Sequence, residues 1–164
     1  MAIRIAGLGA ASLAVATVLA AGHAQAADVV IGLGALDYKN EEATVLSFEL
    51  HSAPMWQLGA VQFGLGLGAF YSDEDSAFAG AGVTMMIPMG QSWFIEGSFM
   101  PGFYNDGGYS TDLGDELEFR TVLGVGYRIG QGAVSLAASH VSNADLADEN
   151  PGVNGLSLRY RIGF

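Results

Sequence analysis

Hydrophobic and polar residues alternate with a period of two along much of the chain, which is the pattern of half-buried β-strands. The clearest example is the C-terminal segment. There Leu156, Leu158, Tyr160, Ile162 and Phe164 alternate with Ser157, Arg159, Arg161 and Gly163. The same alternation runs through residues 61–71 and 117–129. These segments are therefore predicted to be strands with one apolar face and one face of polar residues and glycine.

The whole pattern predicts about eight strands of similar length. They span residues 28–38, 43–51, 57–71, 77–87, 92–104, 116–129, 132–142 and 154–164. Most are close to the 9–11 residues that a tilted strand needs to cross a bilayer. Short connections at 51–56, 88–91 and 130–131 alternate with outer loops at 39–42, 72–76, 105–115 and 143–153, two of which are long. Short periplasmic turns with longer outer loops are typical of outer-membrane proteins, and the predicted fold is all-β, an eight-stranded antiparallel transmembrane β-barrel.

The composition agrees with a membrane barrel. Of the 164 residues, 51% are hydrophobic and only 14% are charged, whereas a soluble domain carries about a quarter charged residues. Beyond the first 26 residues, no apolar run approaches the roughly 20 residues of a membrane-spanning helix. The absence of cysteine excludes disulfides and thiolate metal sites. The net charge of −11 argues against a nucleic-acid partner, which would require clustered Lys and Arg.

The first 26 residues have the features of a secretory signal. A short basic start that includes Arg4 is followed by an alanine-rich apolar run and by the small residues Ala24 and Ala26. This arrangement predicts cleavage after about Ala26, which leaves 27–164 as the barrel domain in the bacterial outer membrane. A retained membrane anchor is the alternative. The mature part would then carry a net charge of −12, from 5 basic and 17 acidic residues.

Charged residues within the strands share the parity of the polar face. They are Arg120, Arg128, Arg159, Arg161, Glu49, Glu96 and Glu118. A charge on the lipid face near the midplane costs about 2–4 kcal/mol, so we expect these residues to pair in the barrel interior and fill it. A narrow pore is the alternative. His51 lies at a predicted periplasmic turn, where we expect it to be structural.

Aromatic residues and outer-loop acids complete the predicted barrel. Trp56, Trp93 and Tyr127 are predicted to form the inner aromatic girdle, with Tyr38, Tyr71 and Tyr104 in the outer one. The outer loops hold most of the acidic residues. Simple solubility explains these acids, although bound divalent cations that bridge to lipopolysaccharide would also fit.

The segment 134–144 carries the candidate chemistry. His140 and Ser142 are two positions apart on a strand, so their side chains point to the same side and can act as a general base and a nucleophile. Their parity is that of Leu136 and Ala138, which predicts that the pair faces the lipid at the extracellular end. Asn154 begins the next strand on the same face and could orient His140, as could Asp148 or Glu149 in the connecting loop. Asn143 could donate to an oxyanion.

Taken together, these residues resemble a known family. His140-Val141-Ser142-Asn143-Ala144, followed by Asn150-Pro151-Gly152 near the end of an eight-stranded barrel, resembles the lipid A 3-O-deacylase family of outer-membrane enzymes. The resemblance implies removal of the ester-linked 3-O-acyl chain of lipid A in the outer leaflet, without cofactor or metal. It implies that His140 is the base, that Ser142 is the nucleophile, and that Asn143 belongs to the oxyanion hole.

Two positions depart from the family pattern. Asn154 stands where the family has an acid, and Asp145 stands where glycine is expected. An asparagine can orient a histidine but cannot stabilise the imidazolium with a charge. A catalytically inactive structural or adhesive barrel is therefore the alternative function, and the sequence leaves open whether the barrel forms a dimer.

Overall fold

The computed structural model describes residues 27–37, 42–108 and 111–163. The predicted signal at 1–26, Tyr38 and the C-terminal Phe164 lie outside the described residues. The described strands are β1 (Asp28–Asp37), β2 (Glu42–His51), β3 (Trp56–Leu58), β4 (Val61–Ser72), β5 (Ala77–Met89), β6 (Trp93–Asn105), β7 (Leu117–Ile129), β8 (Gly132–Ser142) and β9 (Val153–Gly163). No helix in this part of the chain is long and apolar enough to cross a membrane.

Antiparallel pairing closes the sheet into a barrel. β1 pairs with both β2 and β9, and β2 pairs with β4, so eight strands form a ring in the order β1, β2, β4, β5, β6, β7, β8, β9. Consecutive strands pair around the rest of the ring. The predicted all-β, eight-stranded antiparallel barrel is confirmed. Closure removes the unpaired sheet edges that would otherwise have no hydrogen-bond partner in lipid.

The sequence prediction was wrong about the third strand. Residues 57–71 were expected to form one strand after a turn at 51–56, but a tight turn at Gly59 and Ala60 divides this segment. Gly59 has a φ of +60°, which favours glycine. The short strand β3 pairs with the start of β4 at the point where β2 has ended. Leu58 and Val61 are both apolar but differ in parity, so the alternation that begins at Val61 does not extend back across the turn.

The two faces of the barrel follow the predicted parity. Side chains such as Leu33 and Leu158 are 60% and 64% exposed on the outer face. The extracellular half of the interior holds an apolar cluster that includes Phe70, Met100 and Tyr104. The prediction that Tyr104 belongs to the outer aromatic girdle was therefore wrong. Its hydroxyl donates a hydrogen bond of 2.6 Å to the carbonyl oxygen of Thr111, inside the barrel.

Two buried carboxylates organise the charges in the barrel interior. Glu49 accepts hydrogen bonds from Arg120 at 2.7 Å and Arg159 at 2.8 Å, and it lies 2.7 Å from His51. Glu96 accepts from Arg161 and Ser135, both at 2.5 Å. The predicted pairing of interior Arg and Glu is confirmed for these residues.

Two charged residues with the same parity behave differently. Arg128 is exposed at the end of β7, where its guanidinium lies over the ring of Phe94. Glu118 is fully buried and belongs to no ion pair within the described part of the chain.

Candidate active site

The candidate site lies on the outer wall, at the end of β8 that leads into a long outer connection, 143–152. His140 is exposed and Ser142 is half-buried, while Val141 between them is fully buried in the interior. The two polar side chains therefore share the lipid-facing side with Leu136, which is 55% exposed. The predicted orientation of this strand is correct, and it places a titratable residue where lipid is the neighbour.

Asn154 is the hydrogen-bond partner of His140. The two residues are directly paired across β8 and β9, and Nδ1 of His140 lies 2.9 Å from Oδ1 of Asn154. Oδ1 can only accept, so Nδ1 carries the proton of a neutral ring. Nε2 then has the free lone pair that a general base requires.

Gly152 limits the space around the same imidazole ring. A Cβ atom at this position would lie 3.0 Å from Cε1 of His140 and 3.4 Å from its Nε2. Gly152 also has a φ of +60°, a conformation that penalises residues with a side chain. Only the folded loop brings this glycine against the histidine.

Residues of β7 flank the serine and the histidine. Ser142 is paired with Phe119, and Thr121 is paired with His140. The ring of Phe119 stacks on Phe99 of β6, with centroids 5.7 Å apart and an interplanar angle of 14°. No hydrogen bond connects His140 to Ser142 in the described structure. Catalytic contacts of this kind often close only when substrate binds.

A tight turn follows the serine. The amide of Leu146 donates to the carbonyl oxygen of Asn143 at 3.2 Å, and the two residues between them have φ values of +57° (Ala144) and +60° (Asp145). Two consecutive positive φ angles are the geometry of a type I′ turn, which favours Gly, Asn and Asp. Glycine, the residue expected at position 145, adopts a positive φ without strain. Aspartate, which stands there instead, tolerates the left-handed region better than most residues.

Asn143 is directed away from the site face. It is fully buried, and its Nδ2 donates to the carbonyl oxygens of Leu113 at 3.2 Å and Glu149 at 2.7 Å. Its backbone amide donates to Oδ1 of Asn150 at 3.1 Å. The predicted oxyanion donor is thus engaged within the loops, and its use in catalysis would require one of these hydrogen bonds to exchange.

Asn150 joins the same network, which the sequence did not reveal. Its side-chain amide donates to Oδ1 of Asp145 at 2.9 Å, so this residue holds both ends of the turn after Ser142. Glu149 and Asp148 were the alternative partners of His140. Both are exposed, and neither makes a hydrogen bond to the imidazole in this part of the chain, where Asn154 occupies Nδ1. Within the described residues, no three acidic or histidine side chains are grouped to hold a metal ion.

Several solved structures share this architecture. The crystal structure of the outer membrane enzyme PagL matches with a TM-score of 0.64 and 23% identity, covering 82% of this chain and 98% of that one. A structure described as de novo design of transmembrane β-barrels has a TM-score of 0.57 and 8% identity, over 87% and 98% of the two chains. Neisserial surface protein A has a TM-score of 0.54 and 11% identity, over 85% and 96%. At these low identities, the structural matches establish the fold alone.

The sequence comparison is more specific than the shared fold. No curated protein sequence matches this chain significantly. The family model described as lipid A 3-O-deacylase (PagL) matches residues 36–162, which includes six complete strands of the ring and all of the candidate site. The chain therefore belongs to the lipid A 3-O-deacylase (PagL) family.

Proposed function

We propose that this protein is an outer-membrane serine esterase that removes the ester-linked 3-O-acyl chain of lipid A. In this proposal Ser142 is the nucleophile, His140 is the general base and Asn154 orients the imidazole. The hydrogen bond between His140 and Asn154, on the lipid face beside Ser142, is the observation that carries it. Family membership supports the same substrate and the same class of reaction.

The location of the site suits a lipid substrate. Lipid A occupies the outer leaflet, and the site lies at the end of β8 that continues into a long loop, the extracellular end of an outer-membrane barrel. Phe119 and Phe99 provide an apolar surface beside Ser142 on which an acyl chain can pack. A polar pair on a lipid-facing wall is costly unless it has a function.

The reaction follows from the positions of the donors and acceptors. The Ser142 hydroxyl transfers its proton to Nε2 of His140 as its oxygen attacks the ester carbonyl carbon. The tetrahedral intermediate collapses, the bond to the 3-oxygen of lipid A breaks, and His140 returns the proton to that oxygen. Water then hydrolyses the acyl-serine and releases a fatty acid, again with His140 as the base. This scheme uses no cofactor and no metal.

An oxyanion must be stabilised during both steps. Asn143 is the donor implied by the family resemblance, but its side-chain amide is bonded to the loop carbonyls. The backbone N–H groups of Ala144 and Asp145 lie in the turn after Asn143, and neither makes a backbone hydrogen bond within the described residues. We assign them as additional candidates for this function.

Asn154 determines how efficient the base can be. Its Oδ1 fixes the tautomer of His140, but it brings no negative charge to stabilise the imidazolium that forms during attack. The proposal therefore predicts a working but slow esterase. A barrel that has retained the fold and lost the activity is the competing function, and Asn154 is the observation that favours it.

The N-terminal segment would direct export of the protein. Residues 1–26 would act as a secretory signal that is cleaved after about Ala26, and 27–164 would insert in the outer membrane as the barrel. The partner is lipopolysaccharide in the outer leaflet.

Mass spectrometry of lipid A from a host that expresses the protein tests the function. The wild type should remove one hydroxyacyl chain, and Ser142→Ala should leave lipid A intact. Ser139→Ala is the matched control, because Ser139 lies on the same strand but faces the interior, and it should retain activity. Intact lipid A from cells with a folded wild-type barrel would reject the esterase in favour of the inactive barrel.

A further inference from the structure

Glu118 is a buried carboxylate without a partner. It lies near the start of β7 with no exposed surface, and neither of its carboxyl oxygens has a hydrogen-bond donor within the described residues. The other two fully buried glutamates, Glu49 and Glu96, are each surrounded by arginines. An ionised carboxylate that is buried without a counter-charge is strongly unfavourable, so something must neutralise Glu118.

Asn143 presents a second buried oxygen at the same place. Phe119 pairs with Ser142, so the next residues on the two strands, Glu118 and Asn143, stand side by side on the interior face. Both donor hydrogens of the Asn143 amide are used, whereas its Oδ1 has no partner. These two neighbouring positions therefore carry three buried acceptor atoms without a hydrogen-bond donor.

Acidic residues surround this position from the outer loops. The charges of Asp115 and Asp112 act on the Glu118 carboxyl group. An open cleft of about 710 Å³ at the extracellular mouth is lined by these two aspartates together with Asp148 and Glu149. No basic residue lines the cleft, and Arg120, the basic residue two positions along β7, is bonded to Glu49. The surroundings favour a cation.

We infer that Glu118 and Oδ1 of Asn143 form a binding site for a divalent cation, with the acidic cleft as its entrance. Carboxylate and amide oxygens are the ligands of hard cations, and Ca²⁺ accepts irregular, partly hydrated ligand sets more readily than Mg²⁺ does. The site provides one buried carboxylate and one amide oxygen, so water and the cleft aspartates would complete it. This ligand set is consistent with the absence of a preformed group of three acidic or histidine side chains in the described chain.

A cation at this position would join two loops. Nδ2 of Asn143 already bonds to the 111–116 segment through Leu113 and to the 143–152 loop through Glu149. Gly114 allows the two segments to approach this closely, because a Cβ atom at this position would lie 2.2 Å from the carbonyl oxygen of Glu149. The bound ion would therefore fix the mouth of the barrel directly behind Ser142. Binding itself does not depend on the proposed esterase activity.

Terbium luminescence on the purified, refolded barrel tests the site, because Tb³⁺ takes the place of Ca²⁺ and is excited through nearby tyrosines. The wild type should bind Tb³⁺, and added Ca²⁺ should displace it. Glu118→Gln, which removes the charge and keeps the shape, should weaken binding at least tenfold. Glu116→Gln is the control, because Glu116 is an exposed acid two residues away, and it should bind as the wild type does.

Two results would overturn the inference. Equal Tb³⁺ affinity of all three proteins would mean that the exposed acids alone attract the ion. An absence of Tb³⁺ binding to the folded wild type would mean that a proton on Glu118, donated to Asn143, satisfies the pair instead. If Glu118→Gln does not fold, Glu118→Asp replaces it. The shorter side chain should then weaken binding, and unchanged affinity would reject the site.

Discussion

The middle of the barrel interior and the wall around Ser142 use polar residues in opposite ways. In the interior, Glu49 and Glu96 each meet arginine side chains and a further polar partner, so the buried charges balance one another. On the wall, His140 is exposed toward lipid and is held by a single neutral partner, Asn154. Satisfied charges specify and stabilise a fold, whereas polar groups with spare hydrogen-bonding capacity in an apolar setting indicate function.

This comparison predicts that changes at the two places separate activity from stability. The largest effect should come from His140→Ala, which removes the general base and should lower the deacylation rate by about 10³-fold. The free energy of unfolding should hardly change, because the side chain is exposed. The rate is measured by the release of fatty acid from lipid A in detergent micelles. The double variant with Ser142→Ala should be no slower than either single variant, and additive losses would contradict a shared mechanism.

Glu49→Gln should show the reverse behaviour. The substitution leaves the buried Arg120 and Arg159 without their shared carboxylate and should lower the free energy of unfolding by about 3 kcal/mol. Urea titration of the barrel in detergent, followed by tryptophan fluorescence, measures this loss. Deacylation per folded molecule should stay at the wild-type value. A barrel that remains equally stable would show that the interior charges are not a stabilising network.

Asn154→Asp sharpens the interpretation of the wall site. A carboxylate at this position can stabilise the imidazolium, and a charge-assisted hydrogen bond exceeds a neutral one by about 1 kcal/mol. We expect deacylation to increase about tenfold, a change of roughly 1.4 kcal/mol in the barrier. Asn154→Leu removes the partner of Nδ1 and should reduce the rate. Unchanged rates in both variants would mean that another residue orients His140.

Asp145→Gly should have the smallest effect. The φ of +60° at Asp145 costs an L-residue roughly 1 kcal/mol that glycine does not incur. The variant should therefore unfold at a slightly higher urea concentration. Its deacylation rate should rise by a few-fold at most, since an acid beside the oxyanion is removed. Gly152→Ala is the opposite test, because its methyl group would press on His140 and should reduce the rate.

The sequence by itself determined the fold and the face of the site. Period-two alternation is a local property of each strand, and the alternation of short turns with longer loops fixes how strands follow one another. The parity of Leu136 and Ala138 was enough to place His140 and Ser142 on the lipid face. The pairing of His140 with Asn154 was also predictable, since adjacent strands joined by one loop bring these positions together.

Only the tertiary structure decided the features that depend on distant contacts. The turn at Gly59 divided a segment that was predicted to be one strand, and the inward position of Tyr104 contradicted its predicted place in the outer girdle. The contacts of Asn143, Asn150 and Gly152 depend on how the loop after β8 folds back. The isolated carboxylate of Glu118 becomes visible only when the arginines are seen to pair elsewhere. Loop conformation and charge pairing arise from three-dimensional packing, which no pattern along one strand encodes.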